Sequence, residues 1–188
     1  RLLRRLQEEG VAITSSYELG RLLGISSAQI RKDLSHFGEF GKQGTGYNIS
    51  TLIGELQHIL HGDREWQVAL VGVGDLGRAL AHYGGFVNRG FRITHLFDND
   101  PIKIGQQIDD LKILPDNLRE ETIKKAGIKV AMIATPINEA QAVAALLAKA
   151  GVRAILNYAP ITLLVPDGVR VQYIDPVVHL QRMVYYLD

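Results

Sequence analysis

The most constraining feature of this chain is the run Gly72-Val73-Gly74-Asp75-Leu76-Gly77, placed directly after the apolar segment Val68–Val71 and before a helical pattern over 75–83. Glycines at this spacing between a strand and a helix have separate physical duties. The first allows a tight turn, the second lets backbone approach a pyrophosphate, and the third lets helix and strand pack closely. The helix start adds free N–H donors and a partial positive charge. Asp98 ends the next β-rich run, 21 residues after Gly77, where a carboxylate accepts ribose hydroxyls. Gly72, Val73, Gly74, Asp75, Leu76, Gly77, Asp98, Asn99 and Asp100 are therefore expected to bind an NAD-type dinucleotide. Asp98 and Asp100, with no Arg beside them, favour NAD(H) over NADP(H).

The segment around this loop alternates short β-rich runs with helical runs. Strands are expected at 68–71, 91–97, 128–134, 154–156 and 169–174, and helices at 75–83, about 116–126 and 137–150; residues 101–115 read as neither. Alternation of this kind implies a parallel sheet with right-handed crossovers, an α/β Rossmann domain over 66–174. Thr135-Pro136 and Asn157-Tyr158-Ala159-Pro160 follow two later strands, at the carboxyl edge where a nicotinamide would lie. Ordinary strand-to-helix turn chemistry is the competing reading for both.

Residues 1–61 differ in character. An amphipathic helix with Leu2, Leu3 and Leu6 stops at Gly10; Ser16 is a candidate N-cap for a helix over 17–23; Gly24-Ile25-Ser26 is a turn; and a second helix is expected over 27–37, with Ile30, Leu34 and Phe37 inward. Helix, short turn and helix make a helix-turn-helix. The glycine-rich stretch 38–47 reads as a β-hairpin and 51–60 as a helix, so the whole is expected to be a winged helix, with a linker at 61–64. Ser26, Ser27, Gln29, Arg31, Lys32 and Ser35 would face DNA from the second helix, and Lys42, Gln43, Gly44 and Tyr47 from the hairpin. A solvated face, with Asp33 paired to Arg31 or Lys32, is the competing reading. Seven Lys/Arg against six Asp/Glu in this segment give little non-specific pull on DNA.

Asp175-Pro176 opens a last helix over 177–187. Its residues are apolar over more than one face, which predicts burial between two surfaces. The chain starts at Arg1 inside a helical pattern without an initiator Met, which predicts that further sequence precedes it. Its 188 residues hold no cysteine, excluding disulfides and thiol catalysis and suiting a reducing cytoplasm, and no apolar run approaches the length of a membrane span. A net charge of +1 does not by itself mark a nucleic-acid partner.

Chemistry beyond binding is hard to place. Only 28 residues follow Pro160, and no Tyr has a Lys four residues later. His82 and His95 read as surface or packing residues, and His179 lies on the final helix. No catalytic residue and no metal site is assigned, and no enzyme or small-molecule substrate is expected.

The run from Gln29 to Gly38, the segment Gly41-Lys42-Gln43-Gly44-Thr45-Gly46-Tyr47, the glycine loop with Phe97-Asp98, and Asn157-Tyr158-Ala159-Pro160 together closely resemble the Rex family of redox-sensing transcriptional repressors. The resemblance spans essentially the whole chain in order and spacing. It implies a homodimer with an N-terminal winged helix, a Rossmann NAD(H) domain and a terminal helix exchanged between subunits. It further implies binding to palindromic operators near genes of NADH-consuming and anaerobic metabolism, release from DNA by NADH, and NAD⁺ that competes weakly or favours DNA binding. Tyr83 matches a tyrosine covering the nicotinamide pocket. Asp175, opening the exchanged helix with Val177 and Leu180, matches an aspartate reaching the partner's site, and Arg1 matches an arginine that pairs with it. A small NAD-dependent oxidoreductase, or a nucleotide or coenzyme A sensor without redox discrimination, remain rival readings.

Overall fold

The computed structural model describes every residue except 37, 39, 41–45, 60–64, 186 and 188. The chain divides into two compact units, Arg1–Arg64 and Glu65–Asp188.

The first unit contains α1 (Leu2–Glu8), β1 (Ile13–Thr14), α2 (Ser16–Leu23), α3 (Ser27–Ser35), β2 (Tyr47–Asn48) and α4 (Ile49–Ile59). Leu6, Leu19, Ile30 and Ile49 form its buried centre. The cap of α2 is Ser15, whose hydroxyl accepts from the Glu18 N–H, and not the expected Ser16. Either serine can cap. The helix simply starts one residue earlier. Gly24 ends α2 in the left-handed conformation, φ 71°, and Ser26 caps α3 by accepting from the Gln29 N–H. Gly20 makes the corner possible. A Cβ there would stand 2.6 Å from the Ile25 carbonyl oxygen. Of the hairpin expected over 38–47, the described part that forms a strand pairs elsewhere: Tyr47 stands opposite Thr14 and Asn48 opposite Ile13, antiparallel.

The second unit is an α/β domain. Its elements are β3 (Trp66–Val71), α5 (Asp75–Ala81), β4 (Phe91–Asp98), β5 (Gln107–Ile108), β6 (Leu111–Pro115), α6 (Arg119–Ala126), β7 (Val130–Ile133), α7 (Ile137–Lys149), β8 (Ala154–Asn157), β9 (Arg170–Tyr173) and α8 (Pro176–Val184). The sheet order is β5-β6-β4-β3-β7-β8-β9, parallel except for the β5–β6 pair. Omitting β5, this is the doubly wound order 3-2-1-4-5-6, whose switch point lies between β3 and β7. Successive residues of β3 face opposite layers. Val68 and Leu70 pack with Leu96, Ile113 and Met132; Ala69 and Val71 pack with Phe97, Ile123, Ala144 and Leu147. Burial on both sheet faces explains the unbroken apolar run at 68–71.

The stretch 101–115, read as neither helix nor strand, holds β5 and β6. Asp109 turns between them at φ 49°. Helix α8 is shorter than expected. None of its residues is buried within the single chain, and Leu180 is 60% exposed.

Candidate functional site

The backbone sets the glycine loop. Gly72 follows β3 at φ 91°, with its N–H on the Phe97 carbonyl, and a Cβ there would strike the Ala134 carbonyl at 2.6 Å. Such a conformation admits only glycine without strain. At Gly77 a Cβ would collide with the Gly72 carbonyl oxygen, so α5 can lie against the turn only because position 77 has no side chain. At Gly74 the opposite holds: nothing lies within 4 Å of a Cβ position.

That open space belongs to a cleft of about 450 Å³ at the carboxyl edge of the sheet. Of the residues expected to bind cofactor, Gly72, Gly74, Asp75, Leu76, Asp98, Asn99, Asp100, Thr135 and Pro136 line it. Val73 and Gly77 are buried beside it in the loop. Asp98 is the hinge of the arrangement. Its Oδ2 accepts the Val73 N–H at 2.7 Å, its Oδ1 accepts the Asp100 N–H at 2.9 Å, and Lys103 Nζ lies 3.3 Å from Oδ2. Burial works against the charged form of Asp98. The Asp100 and Val73 N–H groups and the Lys103 ammonium outweigh it, and the carboxyl titrates below its ordinary range.

A dinucleotide fits these residues. The loop leaves room where a pyrophosphate would sit, over the start of α5. A carboxylate stands at the end of β4. The Thr135 hydroxyl is buried without a hydrogen-bond partner among the described residues, an acceptor and donor left over by the fold.

Other expected residues lie elsewhere or serve the fold. Asn157 is fully buried and its amide is engaged within its own loop: Nδ2 donates to the Ala159 and Ile161 carbonyls and Oδ1 accepts the Ala159 N–H. Tyr158 donates its N–H to the Ile133 carbonyl, and burial pushes its phenol up. Asn157, Tyr158, Ala159 and Pro160 do not line the cleft, and neither does Tyr83. Tyr83 is half exposed, with its ring edge-on to Phe86 at 5.0 Å and resting against Gly85. Asp175 caps α8, its Oδ1 accepting the Val177 N–H; Val177, Leu180 and Arg1 are exposed. His95 is partly buried and stacked on Phe97, and burial lowers its pKa; His82 pairs with Asp109.

Lys103, Asp116 and Glu139 line the cleft and escaped the sequence reading. The signal for Lys103 was its place three residues after Asp100, one turn further on, which puts it back over both acids. Asp116 ion-pairs with the buried Arg119, and Glu139 accepts from the Asn99 amide.

On the first unit, α3 presents Gln29, Arg31 and Lys32 outward, with Ile30 buried beneath. Asp33 accepts from the Gln29 amide, so the expected competing pairing with Arg31 or Lys32 is replaced by a Gln29 contact one helical turn away. Arg31 Nη1 donates to the Ser16 hydroxyl at 3.2 Å, linking α3 to the start of α2. Ser35 donates to the Lys32 carbonyl, and Ser27 is half-buried. Tyr47 packs against the small core. Lys42, Gln43 and Gly44 lie outside the described residues.

These features define a regulator class: a helix-turn-helix unit carried on the same chain as a dinucleotide-type Rossmann unit. Comparison with known proteins agrees. Residues 1–35 match the family model described as putative DNA-binding protein N-terminus, and residues 63–161 the one described as CoA binding domain. Two proteins called redox-sensing transcriptional repressor Rex are similar along the whole chain: that of Roseiflexus sp. (strain RS-1), 53% identical, of which 85% is covered, and that of Chloroflexus aurantiacus (strain ATCC 29366 / DSM 635 / J-10-fl), 54% identical, of which 88% is covered. The solved structure of RSP in complex with β-NAD⁺ and operator DNA matches with TM-score 0.95 and 36% identity, covering all of this chain and 86% of that one. RSP in complex with β-NADH matches with TM-score 0.91 and 34% identity, covering all of this chain and 87% of that one. The chain belongs to the Rex family of redox-sensing transcriptional repressors, with its second unit in the CoA binding domain family.

Proposed function

We propose that this chain works as a cytoplasmic homodimer that holds operator DNA through α3 and lets go when its Rossmann cleft binds NADH. One observation carries the reading. A cleft whose open glycine face, Gly74, adjoins a backbone-fixed carboxylate, Asp98, sits on a chain with a helix-turn-helix reader. RSP, bound to β-NAD⁺ with operator DNA and to β-NADH, supports it.

The cofactor supplies one redox-dependent property when bound, a positive charge on the nicotinamide ring that reduction removes. The chain's residues convert that difference into geometry. Gly74 and the α5 N–H groups receive the pyrophosphate, and Asp98 accepts from the ribose. Thr135 and Pro136 line the cleft beyond the loop, and residues 157–160 shape the neighbouring strand end. Tyr83, whose half-exposed ring packs edge-on against Phe86 and beside Gly85, turns over an uncharged ring. A cationic ring would oppose that closure, because an unpaired charge is costly to desolvate. The 175–177 segment of a second copy completes the cover, with Arg1 as the counter-charge for Asp175 in the other state. Closure alters the spacing of two α3 helices, and a dimeric reader tolerates only fixed half-site spacing. Ser26, Ser27 and Arg31 anchor to phosphates, while Gln29 and Lys32 read base edges. Lys42, Gln43 and Gly44 are further DNA contacts in this reading, Lys42 the one suited to a minor groove. In this reading the cleft binds NAD(H) as a signal, as the repressor names of the relatives support.

The test is operator affinity by fluorescence anisotropy, using the operator DNA of RSP, with NADH, NAD⁺ or coenzyme A added. NADH should weaken DNA binding, NAD⁺ should not, and coenzyme A should do nothing. By linkage, DNA must lower NADH affinity by the same factor. Equal effects of NADH and NAD⁺, or an effect of coenzyme A alone, overturn the reading.

A further inference from the structure

The cleft contains an ion pair of which cofactor binding as described uses only one member, Asp98. Lys103 lies in the turn after β4, with Nζ 3.3 Å from Asp98 Oδ2, 3.5 Å from Asp98 Oδ1 and 3.7 Å from Asp100 Oδ2. Among the described residues lining the cleft it is the one cation, in a lining that also holds Asp75, Asp98, Asp100, Asp116 and Glu139.

The two partners are held differently. Asp98 is fixed by two backbone N–H groups, from Val73 and Asp100, and keeps its place without the ammonium. Lys103 ends a flexible four-carbon stem, and its charge is held through the carboxylates. In Rossmann clefts an acid at this strand end takes the ribose 2′-hydroxyl, and a cation here accepts a 2′-phosphate. Here the rejecting acid and a cation able to accept occupy one corner, bonded to each other.

We propose that the Asp98–Lys103 pair acts as a unit to select the unphosphorylated dinucleotide: Asp98 repels a 2′-phosphate and also occupies the ammonium that would otherwise bind it. Lys103 is thus a specificity-determining residue, a phosphate partner whose charge its neighbour largely takes up and whose loss would leave the corner more negative still. The proposal rests on the cleft being the NAD(H) site. Counting Asp98, Asp100 and Lys103 as −1, −1 and +1, the corner carries net −1. Replacing Asp98 by serine brings it to zero and leaves the ammonium only its longer pair with Asp100, whereas replacing both brings it back to −1 with no ammonium present.

Nicotinamide fluorescence titrations of NADH and NADPH decide it, on the wild-type full chain, Asp98→Ser, Lys103→Met and the double variant. Asp98→Ser should improve NADPH affinity relative to NADH about tenfold or more, the scale of one charge-assisted phosphate contact. The double variant should lose that gain, and Lys103→Met alone should shift the ratio further against NADPH. Asp98→Ser that still binds NADH but gains nothing for NADPH, or a double variant that keeps the whole gain, overturns the proposal. If Asp98→Ser binds neither nucleotide, Lys103→Met decides: an unchanged ratio overturns the proposal, and a ratio moved against NADPH supports it. A wild-type chain that binds neither nucleotide overturns the cofactor reading, and this proposal with it.

Discussion

Val73 donates its backbone N–H to Asp98 Oδ2 across 2.7 Å, tying the glycine loop after β3 to the end of β4, 25 residues on. One buried carboxylate therefore shapes the loop and faces the cleft. The loop's conformation and its chemistry are coupled through a single side chain.

This coupling gives the protein an acid-sensitive contribution to stability. Hydrogen bonds from Asp100 and Val73 and the Lys103 ammonium overcome burial and hold Asp98 below its ordinary pKa. A group with a depressed native pKa binds fewer protons folded than unfolded. Its contribution is complete above the unfolded value of about 4, and is lost as pH falls through the native value. Urea unfolding of wild type and Asp98→Asn should show a stability gap that is constant from pH 7 to about pH 5 and narrows below about pH 4. A gap that widens on acidification would contradict the assignment.

Gly74 and Gly77 should separate stability from ligand binding. Gly74→Ala places a methyl in open space at φ −77°, ordinary for any residue, so stability should fall by only the ~1 kcal/mol or less of a weakened helix cap and the melting temperature by little. Nucleotide affinity should nonetheless fall at least about tenfold, because the methyl fills the phosphate's approach. Gly77→Ala drives a methyl into the Gly72 carbonyl and should cost about 2–4 kcal/mol, lowering melting temperature and nucleotide binding together. Paired thermal melts and NADH titrations check both.

Legibility followed the range of the interactions. The glycine loop, β3, α5 and Asp98 lie within 33 residues and carry their own local signals, so fold class and acid were readable together. The β5–β6 pair was not. Gln107–Ile108 is two residues long, Leu111–Pro115 ends in a residue that strands usually avoid, and their turn relies on Asp109 at positive φ. Strand β2 was hidden differently. Its partner, Ile13–Thr14, lies more than 30 residues upstream, so no local pattern near Tyr47 points to it. Lys103 was missed because it acts through a fold of the chain after Asp98. Asn157 kept two readings, ligand group or turn residue, because a strand-end Asn looks the same in sequence whether it faces the cleft or braces its own loop, as its amide does here.

The helix-turn-helix corner should fail at Gly20. A methyl there meets the Ile25 carbonyl oxygen at 2.6 Å, backbone against backbone, so α2 and the turn cannot keep their spacing. Gly20→Ala should abolish operator binding and lower the stability of the first unit by about 2 kcal/mol or more, while NADH affinity of the second unit stays within about twofold. Arg31→Ala should also abolish operator binding, with the melting temperature nearly unchanged, since its guanidinium is exposed and bonded only to the Ser16 hydroxyl among the contacts described. Mobility-shift and melting experiments on the two variants distinguish a broken reader from a missing contact.

The last helix should be decisive for assembly. In the single chain α8 exposes Val177, Val178, Leu180, Met183 and Val184, an apolar surface too continuous to face water. In the proposed homodimer a partner copy covers it, as the sequence pattern that predicted burial on more than one side requires. Leu180→Glu should therefore leave the monomer's fold intact, because Leu180 is 60% exposed there. Within a dimer the same change buries an unpaired carboxylate, and the dissociation constant should rise at least about 100-fold, roughly 3 kcal/mol. Sedimentation velocity should then show monomers at micromolar concentration. Operator binding should be lost as well, since one α3 engages only one half-site. A Leu180→Glu chain that remains dimeric would remove α8 from the interface and leave its apolar surface to some other use.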